Sequence, residues 1–305
     1  MWERKHFLSI YDLSSDDAKQ LIEKALDLKQ QHHAGRLQPL LRGKAMAMIF
    51  RKPSLRTRIS FEMGIVGLGG HALYISDDEI KLGRREAVSD AARVISRYVD
   101  IMMIRTFAQA EVEELARWAT VPVINGLTDL HHPCQVLGDI LTMREKKGRV
   151  ENLKVAFLGD GNNLANSWID AAAKLRFKLV LGLAKGYEPD ASILERARKD
   201  GADVAIVYDP LEAAREADVV YTDVWASMGS EAEAEERKRA MKHLQVNDDL
   251  LKVAKRDVIV MHCLPAHRGD EITDGVMDGK HSVVFDEAEN RMHMQRAIMV
   301  ELLLK

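Results

Sequence analysis

The stretch Arg51-Lys52-Pro53-Ser54-Leu55-Arg56-Thr57-Arg58 places three arginines and a lysine within eight residues. An apolar run at 45–50 precedes it and reads as a buried parallel strand. A helix is expected over 55–68, with Ser54 as its N-cap and Pro53 holding the chain extended before it. Leu55, Ile59, Met63 and Val66 share one face of that helix. A helix start offers unbonded N–H groups and the positive end of its dipole. Cations crowded at the same point suit a multiply charged anion, phosphate above all. A basic octapeptide is ordinarily solvated surface; its place between a strand and a helix is what points to an anion.

Other unusual clusters also fall at strand ends. They are Arg105-Thr106, His131 to Gln135, Asn162-Asn163, Asp223 to Met228, and His262 to Pro265. In open α/β sheets, ligands bind outside the carboxyl ends of the strands. The clusters divide between the two halves of the chain, which predicts one site in a cleft between two α/β domains. His131, His132, Cys134, His262 and Cys263 do not have the spacing of common zinc sites. Cys134, on a predicted helix, reads as a packed thiol. Cys263, at a strand end near basic residues, is a candidate for a lowered pKa. His132 could by itself be a core histidine or a functional one. Gly159-Asp160-Gly161 resembles the start of a dinucleotide fingerprint, but Leu164 stands where the third glycine belongs. No phosphate-binding loop of the G-x-x-x-x-G-K-S/T type is present.

The elements that must position these residues follow an alternating pattern. Strands are expected at 45–50, 71–75, 101–104 and 121–124, with helices over 55–68, 86–98 and 108–119. Ala87, Ala91, Val94 and Ile95 form the expected apolar side of the second of these helices. An earlier helix runs from Ser14 to about residue 32, and residues 77–85 read as a mobile polar loop. Pro133 opens a helix that runs to about residue 147. The pattern then restarts, with strands at 154–158, 178–183, 204–207, 219–222, 258–261 and 283–285. Helices are expected over 165–175, 191–199 and 288–304, and 231–239 is a solvated helix or loop. The fold class is α/β, with two doubly wound parallel-sheet domains. The expected bounds are 1–148 and 149–287, with 288–305 a C-terminal helix packing back toward the first domain.

Composition bounds the function. The 305 residues are 47% hydrophobic and 30% charged, as in a globular protein that needs no covalent staples. A net charge of −3 leaves no footprint for nucleic acid or an anionic membrane, so the local basic cluster suits a small anion. Two cysteines fit a reducing compartment, and no leader or membrane span is apparent, so a cytoplasmic protein is expected.

Together the clusters resemble the carbamoyltransferases, in their ornithine branch. The family motif Ser-x-Arg-Thr-Arg matches Ser54 to Arg58, and His-Pro-Cys-Gln matches His132 to Gln135. Asp-x-Trp-x-Ser-Met-Gly matches Asp223 to Gly229, and His-Cys-Leu-Pro matches His262 to Pro265. Phe-Asp-Glu-Ala-Glu-Asn-Arg matches Phe285 to Arg291. The motifs cover nearly the whole chain in the family's order.

The resemblance implies transfer of a carbamoyl group from carbamoyl phosphate to the δ-amino group of L-ornithine, giving citrulline and phosphate. It implies that Ser54, Leu55, Arg56 and Thr57 hold the phosphate. Arg105, His132 and the Thr57 hydroxyl would stabilise the oxyanion. Gln135 and the Leu264 carbonyl would accept from the carbamoyl NH₂, and Arg291 would complete the pocket. Asp223 and Ser227 would take ornithine's α-ammonium, and Asn163 and the Met228 N–H its carboxylate. Cys263 and Asp223 would orient the δ-amine. No metal and no organic cofactor is implied. Homotrimers, with active sites at subunit contacts, are. Three positions depart from the family pattern: Arg51 replaces the usual Glu, Lys81 the usual Gln or His, and Arg85 a common Gly. Lys81 would add a cation to a neighbouring subunit's phosphate site. Alternative readings are a carbamoyltransferase for putrescine or N-acetylornithine, and a non-catalytic sensor of a phosphate metabolite.

Overall fold

The computed structural model describes residues 5–226 and 233–304. Packing divides the chain into two units, residues 1–141 with 289–305, and residues 142–288. The first division falls inside one continuous helix rather than at the polar residues 146–149, because that helix runs unbroken to residue 147.

The first unit begins with α1 (Ser15–His33), β1 (Ala45–Phe50), α2 (Leu55–Gly67), β2 (His71–Ser76) and α3 (Asp77–Ile80). It continues with α4 (Val88–Ile95), β3 (Ile101–Arg105), α5 (Gln109–Trp118), β4 (Val123–Leu127) and α6 (Pro133–Lys147). The α1 start is a capping box: the Asp17 N–H donates to Ser14 Oγ at 3.1 Å, and the Ser14 N–H to Asp17 Oδ2 at 3.1 Å. The four strands are parallel, in the order β2-β1-β3-β4. Strands β3 and β4 are wholly buried, and β1 is buried from Met46 onward, as apolar runs covered on both faces should be. Ala47, Ile49, Met102 and Ile104 pack with Val112 and Leu115 of α5 in one core cluster.

Several expectations shift here. Strand β4 lies at 123–127 rather than 121–124. The 77–85 segment opens with the turn of helix α3, because Ser76 and Glu79 form a capping box, the Ser76 N–H donating to Glu79 Oε2 at 2.8 Å. Helix α4 buries Val88, Ala91 and Ala92, whereas Val94 is exposed and Ala87 is only its N-cap. Most consequentially, the apolar stripe of α2 faces outward. Leu55 is 71% exposed and Ile59 51%, while Thr57, Ser60, Phe61, Gly64 and Ile65 form the buried face.

The second unit contains β5 (Lys154–Gly159), α7 (Asn163–Leu175), β6 (Lys178–Leu183), α8 (Ala191–Lys199), β7 (Val204–Val207), α9 (Pro210–Ala214) and β8 (Val219–Thr222). Then come α10 (Ala234–Met241), α11 (Asp248–Leu251), β9 (Ile259–His262) and α12 (Asp274–Met277). Helix α13 (Val284–Leu303) closes the chain, passing into the first unit at residue 289. The five strands are parallel, in the order β7-β6-β5-β8-β9. Ala156, Leu158, Val220 and Val260 pack with Ala213 of α9 and Val276 of α12. Helix α9 is unforeseen by the sequence reading, although Asp209 before Pro210 is an N-cap followed by proline at the first helical position. The strand expected at 283–285 is instead the start of α13. Only a single bridge, Val260 with Ser282, precedes it, the Val283 N–H donating to the Val260 carbonyl at 3.0 Å. Asp286 and Glu287 in the first turn favour the helix start. Among the described residues no helix is long and apolar enough to cross a membrane.

Candidate active site

In the first unit the chain leaves β1 toward β2 on one side and returns as β3 on the other, so the strand order reverses between β1 and β3. Such a reversal opens a crevice at the carboxyl ends. The octapeptide leaves β1 there, and Arg105 ends β3 beside it, the Arg51 N–H donating to the Arg105 carbonyl at 2.9 Å. Ser54 caps α2, accepting from the Thr57 N–H at 3.4 Å. The first-turn N–H groups of Leu55 and Arg56 have no carbonyl within the helix to bond.

The buried Thr57 hydroxyl is the hub of this end. Ser54 Oγ donates to it at 3.0 Å and an Arg105 Nη at 3.4 Å. Arg291, from α13, donates to the same oxygen with one Nη, and with the other to Gln135 Oε1 at 2.9 Å. A hydroxyl oxygen has two lone pairs, so three donors converging on it suit a richer acceptor such as a phosphate oxygen. Gln135 is itself oriented: its Nε2 donates to Asp139 Oδ1 at 2.8 Å, which turns its carbonyl oxygen toward Arg291. His132 is buried, and desolvation, then Arg291 and Arg105, hold its pKa well below the ordinary value. It is therefore neutral at pH 7 and can donate one N–H without bringing charge.

Arg51, Lys52 and Arg58 of the octapeptide are committed to partners of their own. Arg51 pairs with Asp77 at 2.8 Å and with Glu111, tying α3 and α5 to the end of β1. Lys52 pairs with Asp129 and lies 4.4 Å from the Phe107 ring centroid. Arg58 contacts Glu62 at 3.3 Å and the Tyr74 ring at 4.3 Å. Arg56 is half-buried at the helix start. Lys81 is exposed, in a left-handed conformation with φ of 43° at the end of α3, and none of the contacts above reaches it. Cys134 is a packed thiol: burial pushes it up to about 12, and its sulfur donates to the Asn125 carbonyl at 3.4 Å.

In the second unit the order reverses between β5 and β8. Asp223 follows β8 and is nearly buried. Its Oδ1 accepts from the Val224 N–H at 2.8 Å and from Cys263 Sγ at 3.0 Å, and its Oδ2 from Asn162 Nδ2 at 2.9 Å. As the donor in that contact Cys263 carries its proton, and its neighbour is a carboxylate rather than the basic group the sequence suggested. Asn162 belongs to a cluster the sequence singles out, but no role for it was legible there. Its oxygen caps α7, accepting from the Leu164 and Ala165 N–H groups at 2.9 and 3.2 Å, so its NH₂ must face Asp223. The signal was present, since Asn is a preferred N-cap. Asn163 is the first residue of α7. Leu264 adopts φ of 58°, and its N–H donates to His262 Nδ1 at 2.9 Å. Ser227 and Met228 lie outside the described residues.

The glycine turn after β5 is closed to a dinucleotide. A Cβ at Gly161 would lie 2.4 Å from the backbone of Glu188 and Pro189, so this glycine admits the chain at 187–189 rather than a pyrophosphate. Asn162 also occupies the helix N–H groups a phosphate would need.

Two donor clusters among the described residues could gather a metal, His33 with Glu289 and His293, and Asp223 with His262 and Cys263. In the first, Glu289 Oε1 lies 2.6 Å from His33 Nε2 and 3.2 Å from His293 Nε2. An Arg296 Nη lies 3.3 Å from His293 Nδ1 and can only donate, so the His293 proton sits on the nitrogen a metal would need. In the second, one His262 nitrogen accepts from Leu264 and the other lies 3.1 Å from Glu271. Both clusters are hydrogen-bonded staples.

Buried His293 and half-buried His6 limit stability in acid. Burial lowers His293 to about 4, against the opposing pull of Glu289, and lowers His6 to about 4. The unfolded chain takes up these protons near pH ~6.5, and the folded chain only much lower. Between those values the unfolded state binds more protons, so stability present above pH ~6.5 is lost as pH falls toward 4. Melting temperatures measured across this range decline, and His293→Gln makes the decline shallower.

Comparison with known proteins parts the chain between residues 145 and 151 and carries α13 with the second part, whereas packing places residues 289–305 with the first unit. Residues 5–145 match the family model described as the aspartate/ornithine carbamoyltransferase carbamoyl-P binding domain, and residues 151–302 the one described as its Asp/Orn binding domain. The chain is 56% identical over 297 residues to the ornithine carbamoyltransferase of Syntrophus aciditrophicus, covering 97% of this chain and 98% of that one. The structure of ornithine carbamoyltransferase from Pyrococcus furiosus is similar with a TM-score of 0.93 and 49% identity, over 96% of this chain and 95% of that one. The anabolic ornithine carbamoyltransferase from Campylobacter jejuni is similar with a TM-score of 0.93 and 41% identity, over 98% and 99% of the two chains. With Arg105 and the start of α2 in the part that matches one model, and Arg291 and a paired carboxylate and thiol in the part that matches the other, the chain belongs to the aspartate/ornithine carbamoyltransferase family.

Proposed function

We propose that the protein transfers the carbamoyl group of carbamoyl phosphate to the δ-amino group of L-ornithine, giving L-citrulline and phosphate. The observation that carries this reading is the convergence of Arg105 and Arg291 on Thr57 at the start of α2. On this reading Arg56, the Ser54 hydroxyl and the N–H groups of Leu55, Arg56 and Thr57 hold the phosphate dianion. Arg105, neutral His132 and the Thr57 hydroxyl stabilise the oxyanion built by attack on the carbonyl carbon. Gln135 and the Leu264 carbonyl accept from the carbamoyl NH₂. Asp223 and Ser227 receive ornithine's α-ammonium, and Asn163 and the Met228 N–H its carboxylate. The δ-amine, with a free pKa of ~10, must lose a proton to attack. Cys263 and Asp223 orient it. An assay offering ornithine, putrescine and N-acetylornithine in parallel yields citrulline from ornithine; product from putrescine alone would reject the assignment. No product from any amine, with carbamoyl phosphate still bound, would favour a sensor.

We place the protein in the cytoplasm and in arginine synthesis, a role supported by the anabolic relative from Campylobacter jejuni. We also read it as a homotrimer. The outward apolar stripe of α2, with Leu73 and Tyr74 of β2 exposed beside it, supports a second copy of the chain as its cover. Lys81 then reaches the neighbouring subunit's carbamoyl phosphate. Ile59→Glu should sediment as a monomer. Lys81→Gln should stay assembled and bind carbamoyl phosphate more weakly; unchanged affinity would remove Lys81 from the site.

A further inference from the structure

We propose that His262 is a positioning residue for Leu264, acting through Nδ1, with Glu271 fixing its tautomer. A peptide N–H can only donate, so the Leu264 N–H at 2.9 Å makes Nδ1 an unprotonated acceptor. The ring proton of neutral His262 then sits on Nε2, which faces Glu271 Oε1 at 3.1 Å. The backbone of His262 is fixed as well, its N–H donating to Glu287 Oε2 at 2.8 Å. His262 is 1% exposed, and Glu271 and Glu287 are 0% exposed. An aliphatic side chain would fill this space without the desolvation that two buried carboxylates bring.

What the arrangement holds is a strained turn. Leu264 has φ of 58°, in the left-handed region that a leucine occupies only when its surroundings impose it. The bond to Nδ1 imposes it, and so aims the Leu264 carbonyl. Glu271 also accepts the His267 N–H, so one carboxylate braces the turn on its far side. Release of Nδ1 would let Leu264 relax and swing its carbonyl away. The inference rests on the proposed role of that carbonyl as acceptor for the carbamoyl NH₂.

Two substitutions separate positioning from packing. His262→Asn places an amide oxygen near the position of Nδ1. His262→Gln reaches the position of Nε2 but leaves the Leu264 N–H unmatched. Loss of one buried hydrogen bond predicts a fall in kcat of about tenfold to a hundredfold for His262→Gln. His262→Asn should retain most of kcat, and KM for ornithine should move less than kcat in both. Equal loss in the two variants, following their melting temperatures, would overturn the proposal. ¹⁵N-histidine-labelled wild-type protein gives an independent measurement: the His262 resonances should be those of the Nε2–H tautomer, and an Nδ1–H tautomer would overturn it. Citrulline formation by the unaltered protein tests the underlying reading separately.

Discussion

Replacing Arg105 with methionine lowers kcat for citrulline formation by about 10²- to 10³-fold, the usual effect of removing one oxyanion donor. The side chain is 9% exposed and ends β3 at the strand-order reversal, with an Nη 3.4 Å from the Thr57 hydroxyl. In so little water its charge is screened weakly. Methionine keeps much of the length and apolar volume while removing the charge and the donors, so packing around β3 is disturbed least. Arg105→Lys restores charge but not the planar fork, and should recover only part of the rate. The neutral state of His132 sharpens the expectation. A neutral imidazole supplies a donor without charge, so on the proposed reading the positive charge at this end falls to Arg105 and Arg291. Carbamoyl phosphate affinity should fall less than kcat, because Arg56 and the α2 start remain. An affinity loss as large as the rate loss would make Arg105 a ground-state phosphate ligand instead.

The core β-α alternation was legible because parallel strands covered on both faces are continuous apolar runs, as at 101–104 and 178–183. What periodicity does not state is what covers an apolar face. Leu55, Ile59, Met63 and Val66 recur at helical spacing, yet within one chain they look outward. Short apolar runs fail for another reason. Val283-Val284-Phe285 fits a strand or a helix start equally, and its acidic followers settle the matter. At the candidate site, residue types were legible and partnerships were not. Arg51 had no evident role in the sequence because Asp77 and Glu111 lie 26 and 60 residues away. Gly161 suggested a phosphate turn because a sequence does not show that residues 187–189 occupy the space above it. Asn162 had no role beside its neighbour in the sequence, because the Asp223 contact needs the fold to bring β5 and β8 side by side.

Asp223→Asn raises KM for ornithine by roughly 10- to 150-fold and leaves carbamoyl phosphate affinity unchanged. The estimate follows from a charge-assisted hydrogen bond contributing about 1.5–3 kcal/mol. Two of the three contacts around the side chain should survive the change. The amide oxygen can still accept from the Val224 N–H, now 2.8 Å away, and from the Cys263 thiol at 3.0 Å. The negative charge is removed, and with it the reason to prefer an ammonium group, while the new NH₂ takes the place of Oδ2 and meets the Asn162 NH₂, a donor against a donor. Asn162 therefore adds to the cost. Its NH₂ is held toward Asp223 by the capping bonds of its oxygen, so it faces the substituted side chain with no freedom to flip. Discrimination between ornithine and putrescine should narrow in this variant, because putrescine has no α-ammonium bearing a carboxylate neighbour to lose. A fall in kcat with KM unchanged would place Asp223 on the chemical step, orienting the δ-amine through Cys263, rather than on recognition of the amino-acid head.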